Sequence, residues 1–329
     1  MKNPYYAGPK TDHFDGTRFF SPGALSTDKS VGDLLRWKLR EKTAPWPKAV
    51  PVEPIRPEAR VGGCRATMIG HASVLLQVGN LNILTDPVYS QRVSPVSFAG
   101  PRRVAAPGIR FADLPQIDLV LLSHNHYDHC DVATLKALDE RFRPRVVTAL
   151  GNDRFLREAI PGLDVTAGDW GDVVSIDKDA SVALTPAHHW SSRGVRDRRM
   201  ALWCGFVLKT PRAKVYFVGD SGYGDGGIFR QIAERHGEPD LALIPIGAYA
   251  PRWFMQSQHM NPEEAVDVFE AIGARHALAI HWGTFQLTDE PRHEPPARLA
   301  ETLAARGIDP DRFVAPEPGG VLDLSGAAH

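Results

Sequence analysis

The sequence predicts an α/β fold, and three observations carry that expectation. Short apolar runs bounded by polar residues, such as LVLL at the start of Leu119 to Asp131 and LALIPIGAY after Asp240, read as strands covered on both faces. These runs alternate with segments of helical pattern, among them DVATLKALDERF from Asp131 to Phe142. With 329 residues and 43% apolar content, the chain can bury a substantial core in one large domain or two modest ones.

Residues 1–60 read as an arm, because Pro4, Pro9, Pro22, Pro45, Pro47, Pro51, Pro54 and Pro57 break them into extended pieces. Only Ser30 to Lys42 is long enough there for a helix, with Leu34, Leu35, Trp37 and Leu39 as apolar surface. The arm is expected to wrap a catalytic domain spanning 61–329; its aromatic and basic helix also suits a membrane or partner interface. From Arg60 the pattern turns to strands. CRATMIG, SVLLQV and NLNILTD are joined by Gly-His-Ala and by Gly-Asn, a dipeptide suited to a tight hairpin. Residues 88–116 form a long irregular connection that reads equally as a cleft wall or a surface meander. Beyond residue 142 the chain alternates again. RVVTAL, LDVTAGDWGD, Val182 to Thr185, LWCGFVL, KVYFVGDSGYG and HALAIHWGTF read as strands, and Asn152 to Ala159, Phe229 to His236 and Pro296 to Arg306 as helices. Asn261-Pro262-Glu263-Glu264 starts a further helix, with a capping residue, proline at the first position and early acidic residues.

Composition excludes several classes. A net charge of −1 gives no long-range attraction for nucleic acid. Cys64, Cys130 and Cys204 have no paired spacing, which argues for a reducing compartment, and Cys130 reads as a small buried residue. The N-terminus lacks an apolar signal region, and no stretch approaches the roughly 20 apolar residues that span a bilayer. A cytoplasmic protein, with peripheral membrane contact open to it, is the expectation.

The chemistry concentrates in LVLLSHNHYDHCD, where a buried strand stops at His124, His126, Asp128 and His129. His124 and His126 are two apart, so in an extended segment both rings leave the backbone on one side. Three imidazoles and a carboxylate in one loop suit zinc and its neighbours. Asp86, at the end of NLNILTD, is a candidate to hold a metal-bound histidine by its second ring nitrogen, and His71 in GHAS reads as a structural hydrogen-bonding residue. Either His188 or His189 supplies a further nitrogen; spacing does not choose between them. Arg193, Arg196, Arg198 and Arg199 follow, placed to meet an anionic head group. Asp220, at the tip of an apolar strand and flanked by glycines, is placed to bridge two metals, and His281 completes the set beside Gly283. His259 lies in a loop of aromatic and sulfur side chains.

The HxHxDH spacing resembles the signature of the metallo-β-lactamase superfamily. SHNHYDHCD, TPAHHW, GDSGY, IPIGAYAPRWFMQSQHMNPEEAV and AIHWGTFQL, with RFFSPG, LLRWKLREK, IGHASVLLQ and TDPV, together resemble its N-acyl-phosphatidylethanolamine-hydrolysing phospholipase D branch from roughly Phe14 to Phe313. The resemblance implies an αββα sandwich of two mixed β-sheets flanked by helices, with two Zn²⁺ at one edge. It places His124, His126 and His189 on one ion, Asp128, His129 and His281 on the other, and Asp220 between them. It also puts His259 near the lipid phosphate, as general acid or phosphate contact. The implied reaction is hydrolysis of a phospholipid phosphodiester to phosphatidic acid and N-acylethanolamine through a metal-bridging hydroxide, by a homodimer. GDSGY stands where the family has GDTGY, a minor departure. A metal-dependent lactonase, acting on a sugar-phosphate or acyl lactone, is the alternative that the same centre could serve.

Overall fold

A computed structural model of the protein describes residues 2–326. Its strands run through one sheet and then the other. β1 (Cys64–Gly70), β2 (Ser73–Val78), β3 (Leu81–Thr85), β4 (Leu119–Leu122), β5 (Arg145–Ala149) and β6 (Val165–Gly168) lie side by side in chain order. β7 (Val173–Ser175), β8 (Ser181–Thr185), β9 (Gly205–Lys209), β10 (Lys214–Phe217), β11 (Leu241–Pro245), β12 (His276–Ile280) and β13 (Phe313–Val314) form the second sheet, and β14 (Val321–Asp323) returns to pair with β1. Both sheets are mixed. β3 to β6 are parallel neighbours, as are β10 to β13, while β1–β2, β2–β3, β7–β8, β8–β9 and β9–β10 pair antiparallel.

The two-residue side-chain period of the strands divides the core into layers. Leu119 and Leu121 of β4 face the other sheet, meeting a layer that includes Leu184, Phe206, Phe217, Leu243 and Ile280. Val120 and Leu122 face outward onto α2 (Val132–Phe142) and α3 (Asn152–Ala159), through Leu135, Leu138 and Leu156. On the far side, Tyr216, Ala242 and Ala277 pack toward α4 (Gly227–His236), α6 (Pro262–Ala271) and α7 (Glu294–Ala305). The result is helices, sheet, sheet, helices. α1 (Val31–Arg40) and α5 (Arg252–Met255) lie outside these layers and touch each other through Trp37, Phe254 and Met255.

Local sequence explains several boundaries. Gly79 and Asn80, both at positive φ, form the two-residue turn between β2 and β3, with Val78 opposite Leu81. Ser30 caps α1 and Asp131 caps α2, so those helices begin one residue inside the segments read from sequence. Asn261 and Glu264 make a reciprocal capping box with Pro262 at the first helical position. The connection before β4 keeps its irregular path apart from one short turn of helix at Phe111–Asp113, and it exposes Phe98.

Residues 2–60 thread over both sheets. Asn3 donates to the Met200 carbonyl at 2.8 Å, Phe14 and Phe19 are buried in the inter-sheet core, and the Trp46 indole N–H donates to the Glu290 carbonyl at 2.9 Å. Among the described residues no helix is long and apolar enough to cross a membrane.

Candidate metal centre

Six connections at one edge of the sandwich converge. β3 delivers Asp86, β4 the histidine loop, and β8 His189; β10 leads to Asp220, β11 through α5 to His259, and β12 to His281. The turn between β1 and β2 adds His71. His71, Asp86 and His281 all have positive φ, at 59°, 32° and 62°. Left-handed backbone costs a non-glycine residue on the order of 1 kcal/mol, and it turns these side chains sharply off their strand ends.

Two groups of donor atoms face each other. In one, His126 Nδ1 lies 2.9 Å from His124 Nε2 and 3.1 Å from His189 Nε2. In the other, His129 Nε2 and His281 Nε2 are 3.1 Å apart, and each is 3.4 Å from Asp128 Oδ2. Asp220 Oδ2 stands between the groups, 3.1 Å from His129, 3.2 Å from His281, 3.6 Å from His189 and 4.0 Å from His124. Every residue placed in this set from the sequence is therefore at the edge. His189 and not His188 turns inward. Asp220 lies three residues past the last residue of β10, not at the strand tip.

Outer hydrogen bonds assign the ring protons. The Ser123 hydroxyl spends its one hydrogen on Asp86 Oδ2 at 2.6 Å, so the 2.9 Å contact from His124 Nδ1 makes that nitrogen the donor. His189 Nδ1 faces the Gln258 carbonyl at 3.0 Å, which can only accept, and His129 Nδ1 donates to Asp86 Oδ2 at 2.6 Å. The Nε2 atoms of neutral His124 and His189 thus carry bare lone pairs, both aimed at His126 Nδ1. Three imidazole nitrogens cannot satisfy one another in this arrangement, and Asp220 Oδ1 is buried without a partner. A cation satisfies them all. Zn–N bonds of about 2.0–2.1 Å at tetrahedral angles put neighbouring donors about 3.3 Å apart, close to the spacing in both groups. The donor types, with the tautomers fixed at His124, His129 and His189, fit a metal centre.

A family profile described as the Beta-lactamase superfamily domain matches residues 81–282, the span from β3 through His281 and Trp282. The chain belongs to the metallo-β-lactamase superfamily. An N-acyl-phosphatidylethanolamine-hydrolyzing phospholipase D of Caenorhabditis elegans is 38% identical over 274 residues, covering 80% of this chain and 76% of that protein. A metal-dependent hydrolase of Caldivirga maquilingensis is 30% identical over 78% of this chain and 96% of its own length. The solved isothiocyanate hydrolase from Delia radicum gut bacteria shares the fold, with a TM-score of 0.64 at 21% identity over 80% of this chain and 100% of that one. By family and by donor set, the protein is a metal-dependent hydrolase.

The electrostatics of this superfamily centre are uneven. Burial pushes His126 and His189 down to about 3 and His124 well below its ordinary range, so these rings are neutral and ready to ligate. Burial opposes charge on His129 and His281 too. There it is outweighed by Asp220 and Asp128, which hold His129 well above its ordinary value and His281 up at about 9. Burial raises the Asp86 carboxyl, while the donors from Ser123 and His129 favour its ionised form.

His71 is the site residue the sequence undersold. Its Nε2 lies 3.0 Å from Asp128 Oδ2, its ring packs 4.0 Å from that of His281, and its carbonyl accepts the His281 N–H at 2.9 Å. It braces two donors of the same group at once. The glycine before it in GHAS, at a strand end, is the only sequence signal of that role. Replacing His71 with alanine is expected to weaken metal binding or turnover by about 10–100-fold, the usual effect of losing an outer partner. Metal content after dialysis and kcat/KM read this out; wild-type values in both would remove His71 from the site.

The arginines after His189 do a different job from the one expected. Arg193 donates to the carbonyls of Asn125 at 3.1 Å and Cys130 at 2.8 Å and stacks on Tyr127, clamping the histidine loop. Arg198 and Arg199 both pair with Asp28 of the arm. Protein groups hold these three, so they are not poised for a head group.

Proposed function

We propose that the protein is a phosphodiesterase of phospholipase D type, hydrolysing an N-acyl-phosphatidylethanolamine to phosphatidic acid and an N-acylethanolamine. The similarity to the nematode phospholipase D, over 80% of this chain, carries this reading. His124, His126 and His189 are assigned to one zinc ion, Asp128, His129 and His281 to a second, with Asp220 shared. Two zinc ions held there supply a water acidic enough to be nucleophilic near neutral pH and a field that draws in the phosphoryl oxygens.

The remaining steps belong to the chain. Asp128 and Asp220 neutralise only part of the ions' charge, leaving the centre net positive toward a singly charged phosphodiester. Asp86 and Ser123 fix the tautomers of His129 and His124, and Gln258 that of His189, so each presents a lone pair inward. His259 stands 3.8 Å from Asp220 Oδ2, and burial pushes its pKa well below the ordinary range. It is assigned here as a hydrogen-bonding contact to a substrate phosphate oxygen, one of the two roles expected of it. Trp190 packs 4.3 Å from His126 and Phe285 5.3 Å from His71, giving the donors an aromatic border suited to an acylated substrate.

Contact with a lipid surface accords with α1, where Val31, Leu35 and Leu39 are exposed beside Lys38 and Arg40. Three buried free cysteines accord with a reducing, cytoplasmic setting. Zinc-loaded protein is expected to release N-acylethanolamine from N-acyl-phosphatidylethanolamine vesicles, to sediment with them, and to lose turnover on chelation. Hydrolysis of an acyl lactone with no release from the phospholipid would replace this reading with the lactonase.

A further inference from the structure

Behind the metal edge lies a buried cation with no acid of its own. Arg103 is 4% exposed, and among the described residues no carboxylate forms an ion pair with it. Burial pulls its pKa down only to about 10, so it stays charged at neutral pH. Taking a charge out of water is costly, and an apolar side chain of similar length would fill the same space without that cost. Packing alone does not account for a guanidinium in this place.

Its hydrogen bonds go to backbone that carries the outer partners of the metal donors. Nη2 donates to the Val88 carbonyl at 2.6 Å and Nε to that of Ser90 at 3.4 Å, while Asp131 accepts the Tyr89 and Ser90 N–H groups at 3.2 and 2.9 Å. Residues 88–90 are thus gripped from both sides, by charge-assisted bonds about twice as strong as neutral ones. The grip reaches Asp86 through Ser73, whose hydroxyl donates to the Asp86 carbonyl at 2.7 Å and accepts the Val88 N–H at 2.9 Å. It reaches His71 as well. The guanidinium stacks 4.7 Å from the Phe285 ring centroid, and Phe285 meets the His71 ring edge-on at 5.3 Å. The neighbouring Val104 N–H donates to the Thr284 carbonyl at 2.9 Å, and the Thr284 hydroxyl accepts the His71 N–H at 2.8 Å. Gly70, the residue before His71, has a φ of 142°, and a β-carbon there would come 3.3 Å from both Arg103 Nη1 and Thr284 Oγ1. Glycine lets the guanidinium close on that backbone. Between them, Asp86 and His71 contact Asp128, His129 and His281, whereas in the other group they reach only His124, by way of Ser123. We propose that Arg103 is a positioning residue of the metal centre, holding Asp86 and His71 in place and acting chiefly on the Asp128, His129 and His281 group. This rests on the two-ion assignment made under the proposed function.

Calorimetric titration of zinc into chelator-stripped protein tests this, with anomalous diffraction to say which ion each step fills. In Arg103→Met the ion at Asp128, His129 and His281 should bind about 10–100-fold more weakly, the scale usual for loss of an outer partner, and the ion at His124, His126 and His189 within about threefold of wild type. Arg103→Lys keeps the charge and one donor toward the Val88 carbonyl, so it should show the same selective weakening to a smaller degree. It decides the matter if the Met variant does not fold. A residue that only stabilised the fold would lower Tm and weaken both ions alike. Equal weakening of the two ions, or wild-type affinity for both in a folded variant, would overturn the proposal. Wild-type protein that takes up a single ion would overturn the two-ion assignment itself, and this selectivity with it, before any variant is compared.

Discussion

Asp220→Ala is expected to lower kcat/KM by about 10³-fold or more and to leave the purified protein with fewer metal ions per chain. Among the described residues, Asp220 Oδ2 is the one carboxylate atom within 4.0 Å of donors from both groups. On the proposed assignment, removing it would take a negative charge from between two cations and leave each ion a ligand short. A bound metal is worth several kcal/mol to hydrolysis, and about 4 kcal/mol corresponds to a thousandfold. The fold should survive, since Asp220 points into the centre and the inter-sheet layer is made by other residues. Asp220→Asn keeps one neutral oxygen in place and should fall between the two proteins in both measurements. A fully active alanine variant with two ions bound would show that the carboxylate is not shared.

Metal binding is expected to tighten steeply as pH rises from 6.5 to 9. His281 sits at about 9 in the metal-free fold and His129 well above its ordinary value, against about 6.5 in the unfolded chain. A group raised in this way contributes stability that is complete below the unfolded value and fades as pH climbs through the folded one. The protein without metal thus begins to lose the His281 imidazolium–carboxylate interaction over this window, while His129, held higher still by its carboxylates, keeps its proton longer. A metal ion has to displace the same two protons, so its affinity gains up to about tenfold per pH unit for each proton released. The increase in Tm on adding zinc should therefore grow between pH 6.5 and 9. A Tm increase that shrank over that range would contradict the charge assignment. His126, His189 and His71, all pushed down to about 3, act in the opposite direction. Below about 6.5 the unfolded chain takes up protons that the fold refuses, so acid destabilises the protein between there and about 3.

What the sequence conveyed best was whatever local chemistry decides. The histidine loop, the Gly79-Asn80 hairpin and the Asn261 cap each depend on residues whose type and spacing leave few options, whereas the sequence offered Asp86 only as a support for some metal-bound histidine and did not say that His129 is its partner. What it conveyed poorly depends on backbone direction or on distant partners. Choosing His189 over His188 requires knowing how the chain leaves β8. The arginines after His189 look like a free cationic run until Asn125, Cys130 and Asp28 are seen to accept from them. β7 carries exposed, partly exposed and exposed residues in turn and has no apolar run to announce it; its pairing with β8 places it at the sheet edge. His71 needed three dimensions, because Asp128 and His281 reach it from the middle and the end of the chain.

The most direct measurement is to count and locate the metal ions in protein purified with zinc present, by elemental analysis and anomalous diffraction. Two ions per chain are predicted, one about 2.0–2.2 Å from His124 Nε2, His126 Nδ1 and His189 Nε2, the other at similar distances from Asp128, His129 and His281. A single ion per chain, or ions bound away from these six side chains, would contradict the account.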